Sequence, residues 1–192
     1  GWRPSGRGIA IPDPSLAGGA PRGLWWKAKA TGAGLAPVVH FYLDGVRASN
    51  PRLGGGRLFD REGQASGRGA TGVGTFALAD GKITETYDGF VSTNRFTAGR
   101  DASGTFFQVG TATFRPLVPL SAKTLAGEWK SSSVVYRFHP DGSYASTLGP
   151  GTWVLDGYLL LISPGQGAPF IVVAGMAGEM LALGSGFYYR GR

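Results

Sequence analysis

The chain has no cysteine among its 192 residues, so it holds no disulfide framework and no zinc site of cysteine type. Whatever stability it has comes from packing. Acidic residues are scarce: 12 Asp and Glu stand against 19 Lys and Arg, a net charge of +7. The positive balance admits an anionic lipid or an acidic partner subunit. It comes as much from missing acids as from added bases, and no run of five or six basic residues occurs, which argues against a nucleic-acid partner. No apolar run approaches the ~18 residues of a membrane helix. The longest, residues 158–162, is strand length. A chain that opens on Gly1 instead of Met is expected to have been processed, and export to the periplasm, cell surface or medium is the simplest cause.

Chemistry-bearing constellations are missing too. Five Asp precede Gly (Asp44, Asp80, Asp88, Asp141 and Asp156) and read as turn residues. Asp60 and Glu62 fall in a loop, a poor place for an acid/base pair, and Glu85 is expected on a solvent-facing strand position. Two histidines, His40 and His139, do not make a metal or haem site without a third ligand. No Gly-x-Ser-x-Gly elbow is present. Residues 67–72 match dinucleotide spacing, but they neither follow a strand nor open a helix. No catalytic, cofactor or metal residue is therefore assigned, and the chain reads as a non-enzyme.

What the chain has is glycine, 34 residues against a usual share of about 7%. It also has hydrophobic content of 42%, enough for a core, and 23 aromatic side chains. Short alternating runs such as Thr75-Phe76-Ala77-Leu78 and Thr152-Trp153-Val154-Leu155 read as half-buried strands. The Asp-Gly pairs between them suit type I′ hairpin turns. Residues 172–183 come nearest to a helical period, but Gly175 and Gly178 interrupt it, and strand–turn–strand is expected.

The chain also repeats itself. Gly23-Leu24-Trp25 answers to Gly127-Glu128-Trp129. The run from Val38 to Asp44-Gly45 answers to that from Val134 to Asp141-Gly142. Gly74-Thr75-Phe76 answers to Gly151-Thr152-Trp153, Phe96 to Phe170, and the run ending in Arg115 to that ending in Arg190. The expected organisation is a Pro/Gly-rich extended tail over 1–22, a first β module over 23–114 with a long surface loop inserted at about 47–72, a linker over 115–124, and a second module over 125–192. Standing alone, the tail has too much Pro and Gly for a helix or a central strand. To be ordered it must lie against its own body or a neighbour, and a neighbouring subunit is expected.

This pattern of Gly-x-Trp, an apolar strand ending in Asp-Gly, a Gly-Thr-aromatic strand and a closing Arg resembles lipocalin-like modules of uncharacterised bacterial proteins. The resemblance covers about residues 23–192. It implies an all-β fold of two tandem antiparallel modules, as small barrels or meanders. It also implies that each Gly-x-Trp tryptophan stacks on an arginine of the last strand: Trp25 with Arg115, and Trp129 with Arg190. The second module, near 65 residues, is short for a full eight-stranded ligand barrel.

Two functions follow as expectations. One is an exported structural or accessory subunit that docks on protein partners through its tail, with Trp2, Arg3, Arg7, Ile9, Ile11, Trp26 and Tyr42 as contact candidates. The other is a binding protein for a small apolar or glycan ligand held in an aromatic barrel mouth.

Overall fold

The computed structural model describes residues 11–31, 34–51 and 71–191. Every described strand belongs to one of two closed antiparallel barrels of eight strands each, in chain order. The first comprises β1 (Gly23–Thr31), β2 (Gly34–Leu43), β3 (Val46–Ser49), β4 (Thr71–Ala79), β5 (Lys82–Tyr87), β6 (Phe90–Asp101), β7 (Gly104–Val109) and β8 (Ala112–Pro116). The second comprises β9 (Gly127–Lys130), β10 (Val135–Phe138), β11 (Ser143–Ser146), β12 (Gly151–Asp156), β13 (Leu159–Pro164), β14 (Phe170–Ala177), β15 (Met180–Leu183) and β16 (Gly186–Arg190). Closure comes from β1 pairing with β8 and from β9 pairing with β16, which removes free sheet edges. The second module is thus a full eight-stranded barrel despite its length, because its strands run only four to eight residues.

Turn chemistry makes the up-and-down order local. Asp44-Gly45, Asp80-Gly81 and Asp88-Gly89 all have positive φ at both residues, as type I′ turns require. At Asp141-Gly142 and Asp156-Gly157 only the glycine is left-handed, so the type I′ expectation fails there. Asp141 instead caps its turn by accepting from the Ser143 N–H at 2.9 Å.

The repeat extends to individual hydrogen bonds. Phe76 N–H donates to Gly45 O and Trp153 N–H to Gly142 O, both at 2.7 Å. Leu117 N–H donates to Leu24 O at 3.0 Å, and Gly191 N–H to Glu128 O at 2.7 Å. The ladders therefore align the barrels residue by residue. Two sequence matches shift: Lys82 pairs Arg95 and Leu159 pairs Val173, so Phe96 corresponds to Ala174 and not to Phe170, and Arg190 corresponds to Pro116 and not to Arg115.

Each core is the inward-facing set of these strands. Trp25, Tyr42, Phe76, Ile83, Phe107 and Phe114 fill the first. Trp129, Phe138, Tyr144, Trp153, Leu160 and Leu181 are among those filling the second. Gly74 and Gly151 mark where β4 and β12 pass a neighbouring strand closely. A methyl at Gly74 would collide with the Thr86 carbonyl, and one at Gly151 with the Ser163 carbonyl and the Tyr144 ring. Backbone cannot yield as a flexible side chain can. Gly151→Ala is expected to destabilise the second barrel by about 1–3 kcal/mol, the usual range for overpacking. A urea midpoint unchanged from the parent would contradict this.

Three expected boundaries need correction. Arg47, Ala48 and Ser49 are not loop but strand β3, and Thr71 and Gly72 open β4; residues 52–70 of the expected insertion lie outside the described residues. The linker is not a free connector. Arg115 and Pro116 finish β8, Leu117 and Leu120 are buried, and Ala122–Leu125 forms a short helix, α1. The tail, where described, lies on its own barrel. Ser15 and Arg22 bridge at 3.1 and 2.9 Å, Leu16 and Ala20 pack on the first core, and Pro12 and Pro14 lie directly over Gly23. Those apolar contacts give a Pro-rich segment a reason to be ordered.

Candidate functional site

The two Gly-x-Trp tryptophans are fully buried, and each indole N–H donates to a carbonyl at the barrel end: Trp25 to Arg22 O and Trp129 to Leu125 O, both at 2.8 Å. In the second barrel Arg190 lies over the Trp129 ring at 4.5 Å and donates to the Ala126 and Thr124 carbonyls at 3.1 and 2.9 Å. It thereby joins the last strand to the C-terminal carbonyls of α1, whose N-terminus carries a Ser121/Thr124 capping box.

The first barrel does not repeat this. Arg190 sits opposite Trp129 in the ladder, but Pro116 sits opposite Trp25, and Arg115 is opposite Trp26. A one-residue offset sends a strand side chain to the other face. Arg115 accordingly leaves Trp25, makes a bidentate ion pair with Asp101 at 2.9 and 2.5 Å, and lies over Phe106. That guanidinium holds the Asp101 carboxyl below the usual range.

Of the expected partner-binding residues, Trp2, Arg3, Arg7 and Ile9 lie outside the described residues. Ile11 and Trp26 are half-buried. Tyr42 is fully buried and is not a surface contact: it pairs with Gly23 on the inward face, within the first core.

Tyr42 instead belongs to a polar group inside the first barrel that the sequence reading did not assemble. Arg47 and Glu85 form an ion pair, Nε to Oε1 2.9 Å, with both side chains nearly excluded from solvent. Glu85 is therefore not solvent-facing. The Tyr42 hydroxyl donates to the same Oε1 at 3.3 Å, and Arg47 stacks on Tyr87 at 4.4 Å. Arg47 Nη2 lies 3.0 Å from His40 Nδ1 and 3.0 Å from Ser49 Oγ. His40 packs edge-on against Phe114, and the half-buried Lys27 lies over that ring at 5.2 Å.

The corresponding positions in the second barrel carry none of this. Ladder pairing matches His40 with Tyr136, Tyr42 with Phe138, Arg47 with Tyr144 and Glu85 with Ile162. The same barrel closes with aromatic and apolar residues at all four places, so the fold does not require the charged set.

Burial pushes the His40 imidazole well below 6.5, and the cations Arg47 and Lys27 push it further the same way. Burial likewise pushes the Tyr42 phenol up and, more than Glu85 opposes it, the Lys27 ammonium down. A neutral folded His40 means that the unfolded chain binds the extra proton. Stability from this group is fully present above about pH 6.5 and falls as pH drops from there toward the folded value. The groups facing the ring are Arg47, Lys27, Tyr42, Ser49 and Phe114. The urea midpoint of the first barrel is expected to fall between pH 7.5 and 5, and His40→Phe should flatten that slope. An equal slope in the variant would contradict this.

His40 also lines a cleft of about 510 Å³ with Lys27, Lys29, Ser49 and Asn50 as the other polar walls and Ala28, Ala30, Val38 and Ala112 as the apolar ones. Its volume lies within the ~300–1,000 Å³ of ordinary ligand sites. Among the described residues no group of three or more His, Asp and Glu could hold a metal ion, and no helix is long and apolar enough to cross a membrane. No family model, curated protein or solved structure matches this chain, so it is described by its own architecture: two tandem eight-stranded antiparallel barrels, one with a polar interior group and one without.

Proposed function

We propose that the protein is a non-enzymatic binding protein and that its first barrel takes a small ligand with an apolar body in the cleft beside His40. The resemblance to lipocalin-like modules fits this reading. The observation that carries it is the internal comparison. Four matched ladder positions are His40, Tyr42, Arg47 and Glu85 in one barrel, and Tyr136, Phe138, Tyr144 and Ile162 in the other. Burying an ion pair in place of aromatic packing gains little or no stability. A charged group retained where the fold does without one is best explained by something it binds or positions. Glu85 Oε1 is occupied by Arg47 and Tyr42, which suits a positioning group better than an acid or base.

Assembly through the N-terminal tail has less support. Residues 11–22 pack on their own barrel, and what is left of that reading rests on residues 1–10, outside the described residues.

Phenylnaphthylamine, a neutral apolar fluorophore, tests the ligand reading. Its emission is expected to rise and shift blue on titration with the protein. Ala112→Trp, which fills the cleft wall, should abolish the change while near-ultraviolet circular dichroism stays native. No emission change with the parent, or full binding by the variant, would defeat the reading.

A further inference from the structure

We infer that the ligand of the first barrel is an organic anion, an apolar body with a carboxylate or sulfonate head, and that the head sits between the His40 imidazole N–H and the Lys27 ammonium. This rests on the ligand-binding reading above.

The argument begins with which nitrogen of His40 carries the proton. The Arg47 guanidinium can only donate, and its Nη2 stands 3.0 Å from His40 Nδ1. Nδ1 must therefore be the bare acceptor, which places the proton on Nε2. That Nε2–H has no hydrogen-bond partner among the described residues, although His40 is only 3% exposed and lines the cleft. A buried donor left unpaired carries its full desolvation penalty, and a ligand acceptor atom removes that penalty.

Among the described residues the charged groups that line the cleft are of one sign: Lys27 and Lys29, with no carboxylate. The nearest acid of the polar group, Glu85, is held by Arg47 and Tyr42. Lys27 is half-buried, so its charge is screened less than that of a surface lysine. A neutral ligand would leave the half-buried Lys27 ammonium with only the field of Glu85 to offset its burial, and a cation would be repelled. An anionic oxygen accepts from Nε2–H and neutralises Lys27 together, and charge-assisted hydrogen bonds are the strong ones. Ala28, Ala30, Val38 and Ala112 offer the body an apolar wall.

The test uses the full chain and two fluorophores that differ by one charged group: phenylnaphthylamine and its sulfonated counterpart, anilinonaphthalenesulfonate. The sulfonate is expected to bind about tenfold more tightly or better. Lys27→Met and His40→Phe should each bring the ratio of sulfonate to neutral-probe affinity down toward one, whatever either substitution does to the binding of the shared apolar body. Equal affinity of the two probes in the parent would overturn the anion inference while the ligand-binding reading stands. Binding of neither probe would overturn both. A sulfonate preference that survives both substitutions would place the anion elsewhere and also overturn the inference. Near-ultraviolet circular dichroism of each variant separates loss of the site from loss of the fold, and the Lys27 variant changes no core residue.

Discussion

Arg47→Ala is expected to destabilise the first barrel by about 3–5 kcal/mol, the cost of leaving one partner of a buried ion pair without the other. Glu85 would keep the Tyr42 hydroxyl at 3.3 Å and the field of the half-buried Lys27, with its charge buried opposite Phe76. His40 and Ser49 would lose a shared donor, and Tyr87 its cation. The informative comparison is a fourfold variant, H40Y/Y42F/R47Y/E85I, which gives the first barrel the residues that the second already uses at those positions. It removes both charges at once and replaces them with groups of a tested kind, so stability near the parent's or above is expected. Probe binding should nevertheless be lost. Amide hydrogen exchange resolves the two barrels, so the loss in Arg47→Ala should appear in β1–β8 and leave β9–β16 protected. A single variant as stable as the parent would show that the pair is not as isolated from water as its geometry implies.

The second large effect is at the other tryptophan. Trp129→Ala is expected to cost the second barrel about 3–5 kcal/mol, the range for emptying a large aromatic site in a core. The indole is fully buried, and three features depend on it: the bond from its N–H to Leu125 O, the Arg190 stack, and the packing of Leu125 and Leu120 beneath α1. Trp129→Phe should recover part of the loss, because it restores apolar volume without the hydrogen bond. Arg190→Ala should cost far less, about 0.5–1 kcal/mol, since an exposed cation over a ring is worth about that. Exchange protection lost in β9–β16 and retained in β1–β8 would confirm the assignment. A Trp129 variant with a parental urea midpoint would show that α1 and Leu125 close the barrel without it.

How much of this could be read beforehand depended on whether the signal was local. Asp-Gly turns, alternation within strands and the Gly-x-Trp repeat are properties of neighbouring residues, and each recurs twice in the same order. They make each module an antiparallel β run, but they do not give the number of its strands or its closure into a barrel. Arg190 over Trp129 is what the resemblance to lipocalin-like modules implied, and it is found. Arg115 was misplaced for a reason the repeat could not show. Counting from glycine to arginine gives the right residue type, whereas the ladder places Pro116 opposite Trp25 and turns Arg115 outward. Register is set by pairing across strands, and an offset of one residue reverses the face.

Glu85 reads as a surface residue on the same kind of local evidence. Thr84-Glu85-Thr86 looks solvent-facing by composition, but Glu85 pairs with the core residue Phe76 and points inward. The sequence by itself determined the fold class and the number of modules, because these depend on alternation, short-range turn chemistry and a pattern written twice. Only the tertiary structure decided where His40, Tyr42, Arg47 and Glu85 meet. They come from β2, β3 and β5, up to 45 positions apart, and their meeting depends on barrel closure and register. Closure also left His40 Nε2 without a partner among the described residues, on a side chain that lines a cleft with two lysines, which neither repeat nor composition could announce.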